Sequence, residues 1–412
     1  MATYQVISII VLLAAVFAYV NDRWIKWPPT IGIMVLALFS SILIVILGNL
    51  IPAFSAKALS VVSNIDFGQV LMKIMLSFLL FAGAIHIDAD KLKKEFWPVI
   101  TLATVGIFIS TFLVSLMAYY LFQAFQLQVS YIHCLLFGAL ISPTDPIAVM
   151  AILKQAGIPK SLELKIMGES LFNDGVAVVV FLTILEVASK GTGDFSASGA
   201  AILFLKEAGG GLLFGGLMGY IAYFLIRSID NYRVEVLITL AVVMCGYTLA
   251  DDLHVSGPLA IIVTGIIVGT KGRTVALSPT SRDYLLKFWD LIDEIFNAVL
   301  FLLIGLQMLV IRPHSIIMLI GCIMILVVLL ARWISVFLPV AVLRLKIKFE
   351  KNVVAILTWG GLRGGLSVAM ALSLPSNMHR DELVLITYII VIFSIIAQGL
   401  TIGKVAARLN AS

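Results

Sequence analysis

This sequence is dominated by thirteen apolar runs, most of which are long enough to cross a bilayer as helices. A helix needs about 20 apolar residues to cross roughly 30 Å of hydrocarbon. The chain is 61% hydrophobic and 12% charged, whereas soluble domains are about 45–50% apolar and about 25% charged. We therefore predict an all-α polytopic membrane protein with about 13 transmembrane helices and the lipid bilayer as its partner. The runs lie near residues 4–20, 30–47, 68–87, 97–122, 131–153, 163–188, 200–226, 234–250, 257–270, 288–311, 315–343, 352–374 and 383–403.

The distribution of basic residues predicts how the chain is oriented. Loops after odd-numbered runs, with the C-terminal tail, hold twenty Lys and Arg residues. The N-terminus and the other loops hold four, which are Lys57, Lys190, Arg312 and Arg380. Basic residues concentrate in cytoplasmic loops, so we expect a plasma (inner) membrane protein with its N-terminus outside and its C-terminus cytoplasmic. The net charge of +5 then reflects topology, and we expect no nucleic acid partner.

Two of the predicted spans are interrupted in their middles. The fifth reads LLFGALISPTDPIAVMAIL, with prolines at 143 and 146, and the twelfth reads AILTWGGLRGGLSVAMAL, with two glycine pairs. Proline removes a backbone donor and breaks a helix, and such breaks occur at membrane depth only where the freed groups line a cavity or meet protein. Broken helices in corresponding places predict inverted repeats with an ion site near the midplane.

Charged residues deep in a span are costly and mark functional or paired groups. Four of them stand out, namely Asp145, Glu169, Asp174 and Arg363. Asp174 lies about eleven residues into the sixth span and shares a helix face with Ser170, four residues before it. This depth is where a carrier that exposes its site alternately to the two sides needs that site.

These residues offer oxygen ligands of the kind that a hard cation such as Na⁺ prefers. Asp174 and Asp145 supply carboxylates, Ser170 and Thr144 supply hydroxyls, and an unwound fifth span supplies carbonyls. A carboxylate in a partly dry site can be neutralised by a proton or by a metal ion. Competition for one carboxylate is the simplest basis of exchange. Purely structural roles remain open, since Asp145 could cap a half-helix and the hydroxyls could bind nearby backbone.

The remaining buried charges are interpreted as structural. Arg363 needs a fixed anion because its charge is permanent, and we predict an ion pair with Glu169 that leaves Asp174 for the transported ion. Asn173 is expected to steady the neighbouring carboxylate or the unwound backbone, with plain helix packing as the alternative.

Three acidic residues begin the tenth span on one face, namely Asp290, Asp293 and Glu294. They form either a funnel that attracts cations or ion pairs, and we favour the ion pairs. The basic partners expected for them are Lys287, Arg282 and Arg332.

Taken together, these residues resemble a known family. The stretches SPTDPIAV, GESLFNDGVAVVVF and GGLRGGLSVAMALSLP, in that order, are similar to the sodium/proton exchanger branch of the cation–proton antiporters, and to its NhaP-type prokaryotic members in particular. The resemblance covers nearly the whole chain. It implies inverted six-helix repeats with crossing helices 5 and 12, and a homodimer.

The resemblance also implies a division of labour. Residues 97–188 and 315–407 would form a moving core bundle, and residues 1–96 and 200–311 would form dimerisation and scaffold helices. The residues that match the ion site of the family are Asp174, Thr144, Asp145 and Ser170, and those that match its structural ion pair are Glu169 and Arg363. The Asn–Asp pair in ESLFND is associated in this superfamily with electroneutral exchange.

One position departs from the pattern of the relatives. They often carry an acidic residue in the third span, where this chain has Ala82 in FLLFAGAIHI, so the choice among Na⁺, Li⁺ and K⁺ stays open.

We predict a secondary antiporter of Na⁺, and also Li⁺, against H⁺, without a cofactor and without enzymatic activity. A K⁺/H⁺ antiporter on the same scaffold is the first alternative. A channel and a membrane-embedded aspartic protease are the others, although the chain lacks the GxGD motif of such proteases.

Overall fold

The computed structural model describes residues 3–48, 68, 70–190, 197–272, 278–311 and 314–411. Helices are the only regular secondary structure in these residues, so the all-α prediction is confirmed. The predicted basic loop residues Lys57 and Arg312, together with Arg273, lie outside the described residues.

Residues 3–190, as far as the structure describes them, contain eight α-helices. They are α1 (Thr3–Val20), α2 (Pro29–Gly48), α3 (Leu76–Ile85), α4 (Ala89–Lys94), α5 (Phe96–Ala124), α6 (Tyr131–Ile141), α7 (Ile147–Gln155) and α8 (Lys160–Lys190). The described residues from 197 to 411 contain nine more. They are α9 (Ala197–Arg227), α10 (Tyr232–Asp252), α11 (Gly257–Lys271), α12 (Pro279–Leu306), α13 (Ser315–Leu343), α14 (Val353–Gly360), α15 (Gly365–Leu372), α16 (Arg380–Phe393) and α17 (Gly399–Ala411).

Many of these helices are long and apolar enough to cross a membrane. Among the described residues nine pass that test, and the bent pair α14–α15 makes a tenth. Shorter apolar helices lie at Val70–Ile85, Tyr131–Ile141 and Gly257–Lys271, within three further predicted runs. The multi-pass architecture is therefore confirmed, and the number of about thirteen crossings stays a prediction.

The helices pack in two sets, and each set combines helices from both halves of the chain. In one set α5 packs on α6, α8 and α13, and α13 packs on α16. In the other α9 packs on α11, α11 on α3, and α12 on α2. Small residues permit the closest approach, since a Cβ on Gly215 of α9 would overlap the carbonyl oxygen of Ala260 in α11. The division into a moving core and a scaffold stays a prediction.

A buried ion cluster ties the first turns of α8 to two other elements. The side chain of Lys165 is almost fully buried, and its Nζ lies 2.9 Å from Oε1 of Glu350 and 3.2 Å from Oε2 of Glu95. Ser161 also donates a hydrogen bond to Glu350. Because a buried ammonium is costly unless it is paired, these contacts fix α8 against the start of α5 and the loop before α14.

Candidate functional site

The fifth predicted span is two half-helices joined by an extended segment. α6 ends at Ile141, α7 begins at Ile147, and residues 143–146 have no helical structure. Pro143 and Pro146 explain the break, because neither can donate a main-chain hydrogen bond and both clash with a continuing helix. Carbonyl oxygens in this segment are therefore left for partners outside the helix.

The twelfth predicted span is broken in the same way, and the two breaks touch. α14 and α15 are bent by 48° around residues 361–364. The main-chain N–H of Asp145 donates to the carbonyl of Leu362 over 2.8 Å. Gly364 lies against the Asp145 side chain, where an added Cβ would stand only 2.5 Å from Oδ2. Glycine is needed at 364 because the two extended segments approach this closely.

Two side chains of α8 hold Thr144 in the extended segment. The hydroxyl of Ser170 donates to the carbonyl of Thr144 over 2.6 Å, and Nδ2 of Asn173 donates to its hydroxyl over 2.8 Å. The amide N–H of Thr144 points back to Oδ1 of Asn173 at 3.5 Å. All three residues are buried. The helix that carries Asp174 therefore fixes the position of Thr144.

The residues Ser170, Asn173 and Thr144 form a hydrogen-bonded clamp. Asp174 lies next to this clamp, and its carboxylate is unpaired. It is half-buried, and its charge interacts with that of Asp145. Among the described residues it has no hydrogen-bond or salt-bridge partner. The structure thus brings Asp174, Asp145, Thr144, Ser170 and Asn173 together, and their role as ion ligands stays a prediction.

The predicted ion pair between Glu169 and Arg363 is wrong in its basic partner. Glu169 binds Arg332 of α13 with two hydrogen bonds, from Nη1 to Oε1 at 2.6 Å and from Nη2 to Oε2 at 3.1 Å. The same guanidinium donates to the carbonyl of Leu357 in α14. The pair is nearly fully buried, and it joins α8, α13 and α14.

Arg363 instead binds the main chain of the broken fifth span. Its Nη1 donates to the carbonyls of Ser142 and Pro143, the latter at 3.0 Å, and its own N–H donates to the hydroxyl of Ser394 at 2.9 Å. A buried guanidinium can be satisfied by main-chain carbonyls as well as by a carboxylate, because it has five N–H groups to place. The prolines at 143 and 146 free such carbonyls in the fifth span.

The acidic face of α12 also differs from the expected pairing. Asp290 contacts His86, at the end of α3, over 3.0 Å, while Lys287 binds Asp283 at 2.7 Å. Arg332 is bound to Glu169, so neither of these basic residues pairs with the acidic face. Asp293 instead lies near enough to Asp145 for their charges to interact.

The residues near the two breaks carry carboxylate and hydroxyl oxygens, which are ligands of the kind that hard cations prefer. A cavity of about 10 Å³ lies beside Thr144, Ser170 and Glu169, and neither Asp145 nor Asp174 lines it. It has roughly the volume that one water molecule requires. The described residues contain no cluster of three or more His, Cys, Asp or Glu that could hold a metal ion. The chemistry available is reversible charge neutralisation at a carboxylate.

Sequence comparisons match the chain over nearly its whole length. A family model described as "Sodium/hydrogen exchanger, transmembrane" matches residues 10–408. The Na⁺/H⁺ antiporter NhaP of Pseudomonas aeruginosa is 47% identical, covering 99% of this chain and 97% of that protein. The Na⁺/H⁺ antiporter NhaH of Halobacillus dabanensis is 34% identical and covers 98% of each.

A solved structure has the same fold. The sodium proton antiporter MjNhaP1 of Methanocaldococcus jannaschii superposes with a TM-score of 0.78 over 100% of both chains, at 21% sequence identity. At this identity the likeness concerns the arrangement of helices.

Proposed function

Because this chain belongs to the sodium/hydrogen exchanger family, we propose that it is a secondary antiporter that exchanges Na⁺ for H⁺ across the membrane. The observation that carries the proposal is the Asp174 carboxylate. It is half-buried on α8 beside two crossing broken helices, and it has no protein partner among the described residues.

The geometry supports a simple competition at Asp174. A carboxylate held away from bulk water is stabilised by a proton or by a cation, and binding of one excludes the other. Na⁺ would take oxygen ligands from Asp174 and from the Thr144–Ser170 side of the clamp, with Asp145 close by. Because Asn173 and Ser170 hold Thr144 in place, these oxygens need little reorganisation when the cation arrives.

The neighbouring charges keep Asp174 available for this role. Arg332 is committed to Glu169 through two hydrogen bonds, and Arg363 is committed to two main-chain carbonyls. Neither guanidinium neutralises Asp174. A carboxylate that is permanently paired with an arginine could not bind and release a cation or a proton in each transport cycle.

Substrate choice is proposed at two levels. Na⁺ is favoured over the K⁺ alternative because the relatives are named as Na⁺/H⁺ antiporters, and Li⁺ is proposed as a second substrate because it is also a small, hard cation. The Asn173–Asp174 pair leads us to propose electroneutral exchange of one Na⁺ for one H⁺.

The moving parts and the orientation follow the sequence predictions. We propose that residues 97–188 and 315–407 shift as a core bundle against residues 1–96 and 200–311, which would form the dimer. The excess of basic residues in alternate loops supports a plasma membrane location with an external N-terminus and a cytoplasmic C-terminus.

Proteoliposomes that contain a pH dye test the proposal. Pulses of Na⁺, Li⁺ and K⁺, with and without an imposed voltage, should give dye signals for Na⁺ and Li⁺ that do not depend on voltage. Asp174→Asn should abolish the signal, because an amide neither takes up nor releases a proton near neutral pH and carries no negative charge to bind the cation.

Asp381→Asn is the matched control, since the Asp381 side chain is 93% exposed and the change of charge is the same. Both variants should unfold at the temperature of the wild type. Retention of Na⁺-driven proton flux in Asp174→Asn would refute the assignment of Asp174, and a signal for K⁺ alone would support the alternative antiporter.

A further inference from the structure

We propose that one buried water molecule binds in a cavity between α13, α14 and α16, where it connects the guanidinium of Arg363 to the hydroxyl of Thr358. Thr358 is then a positioning residue, because it acts on the broken fifth span through the water and Arg363. The water site itself is independent of the proposed antiport, whereas the effect of Thr358 on Na⁺ binding rests on that function.

The cavity lies on the far side of the twelfth span from α8. Its volume is about 10 Å³, and its walls come from α13, α14, α16 and the residues that follow them. Most of the lining is apolar, and its polar side chains are those of Arg332, Thr358, Arg363 and Gln398. Because a cavity needs about 10–15 Å³ to hold one water, this one has room for a single molecule.

Arg363 supplies the first group that points to a ligand. The residue is 2% exposed, and its Nη1 donates to the carbonyls of Ser142 and Pro143. Its Nη2 is buried and has no hydrogen-bond partner within the part of the chain that the structure describes. Buried polar groups are almost always hydrogen-bonded, to protein or to ordered water, so Nη2 requires an acceptor in the cavity that it lines.

Thr358 supplies the second such group, on the same cavity. Its hydroxyl oxygen is buried and, among the described residues, also has no partner. Threonine in a helix often donates to the carbonyl one turn earlier, as Thr387 of α16 does to Leu383 over 2.7 Å. Because Thr358 makes no such bond, its hydroxyl is free to bind the molecule that accepts from Arg363.

Gln398 favours water over an anion as that molecule. Its Nε2 donates to the carbonyl of Trp359 at 3.1 Å, and its Oε1 accepts from Ser394 at 2.7 Å. The amide oxygen keeps a second lone pair, which a water can donate to and an anion cannot. With Arg363, Thr358 and Gln398 the water has the three hydrogen bonds that are typical of buried waters.

The water connects Thr358 to the segment that carries the predicted ion ligands. A guanidinium held at Nη2 by the water is restrained at Nη1, which binds the carbonyls of Ser142 and Pro143. Thr144 follows directly in the chain. Loss of the Thr358 hydroxyl should therefore loosen the presentation of Thr144, so Na⁺ binding should weaken while the exchange step is largely kept.

A structure at a resolution that shows ordered waters tests the site directly. We expect one density peak within hydrogen-bond distance, about 2.7–3.2 Å, of both Nη2 of Arg363 and Oγ1 of Thr358. A cavity without density overturns the proposal. Crystals grown in bromide separate water from an anion, because an anomalous peak at this position would overturn the assignment of water.

Na⁺ titration in proteoliposomes tests the positioning role. Thr358→Val keeps the shape of the side chain and removes the hydroxyl. We expect it to raise the half-saturating Na⁺ concentration about three- to tenfold, as the loss of one hydrogen bond predicts, with a change in maximal rate below about twofold. Thr358→Ser keeps the hydroxyl and should match the wild type.

Thr387→Val is the matched control, because it makes the same change at a buried position whose hydroxyl is satisfied within its own helix. Equal effects of the two valine variants, or of Thr358→Val and Thr358→Ser, overturn the positioning role. If Thr358→Val does not fold, a weakened Na⁺ affinity in Thr358→Ser overturns it. Absence of exchange in the wild type defeats the proposed function, and the density then decides the water site alone.

Discussion

At the scale of single residues, the two buried arginines have different tasks. Arg332 donates to a carboxylate and a carbonyl, whereas the side chain of Arg363 donates to the carbonyls of Ser142 and Pro143 on the fifth span. Both residues are less than about a tenth exposed, where an unpaired charge is strongly unfavourable. Among the described residues, neither guanidinium contacts the carboxylate of Asp174.

A double-mutant cycle tests the assignment of the Glu169 partner. Removing one member of a buried ion pair costs about 3–5 kcal/mol, so Glu169→Gln and Arg332→Met should each lower the thermal midpoint strongly. The double variant should lose far less than the sum of the two. The cycle of Glu169→Gln with Arg363→Met should be nearly additive, and strong coupling there together with additivity for Arg332 would restore the pairing predicted from the sequence.

Sequence reasoning could identify the residues of the site but not every contact between them. Asp174, Ser170 and Asn173 follow from helical spacing on one span, and Thr144 and Asp145 follow from the prolines beside them. The partner of Glu169 could not be read in this way, because α8, α13 and α14 meet only in three dimensions.

At the scale of the elements, the crossing depends on how closely two unwound segments approach. Its sequence signals are strong, because proline and paired glycines interrupt otherwise continuous apolar runs. The contact between the segments is a main-chain hydrogen bond from Asp145 to Leu362. Such a contact is independent of side chains and leaves no trace in the sequence except the small residues that permit it.

Substitution of Gly364 should disturb the crossing directly. In Gly364→Ala the new Cβ would lie 2.5 Å from Oδ2 and 2.6 Å from Cβ of Asp145, so Asp145 must move and the Na⁺ concentration for half-maximal exchange should rise at least several-fold. Dye-based Na⁺ titration in proteoliposomes measures the effect.

Gly360→Ala in the same span provides the control. A Cβ at 360 meets its nearest neighbours at 3.6–4.0 Å, which is ordinary van der Waals contact. Exchange by this variant should match the wild type, and equal impairment of the two variants would contradict the explanation by close approach to Asp145.

At the scale of the whole molecule, a buried charge cluster fastens one part of the bundle to another. Lys165, Glu350 and Glu95 connect α8 with the start of α5 and with the loop before α14. Burial alone would raise the pKa of Glu350. The hydrogen bonds from Ser161 and Lys165, with the positive charge of Lys165, outweigh burial and hold that pKa below its ordinary value of 4.5.

The lowered pKa predicts a dependence of stability on pH. A carboxyl whose pKa is lower in the folded state contributes stability above its unfolded value and loses it as the pH falls through the folded value. Relative to Glu350→Gln, the wild type should therefore have a higher thermal midpoint at pH 7, and the difference should shrink below about pH 4.5. Thermal unfolding in detergent between pH 7 and pH 3.5 measures it, and a constant difference would argue against the charged pair.

Because Arg363 binds main-chain oxygens, the conformation of the broken fifth span does not depend on the side chains that determine ion selectivity. Every amino acid carries a carbonyl, so the arginine can grip the fifth span whatever side chains surround positions 142 and 143. Coordinating side chains nearby can therefore be substituted while the hydrogen bonds that position the fifth span are kept. Ion selectivity can thus change through point substitutions alone, with the fold unchanged.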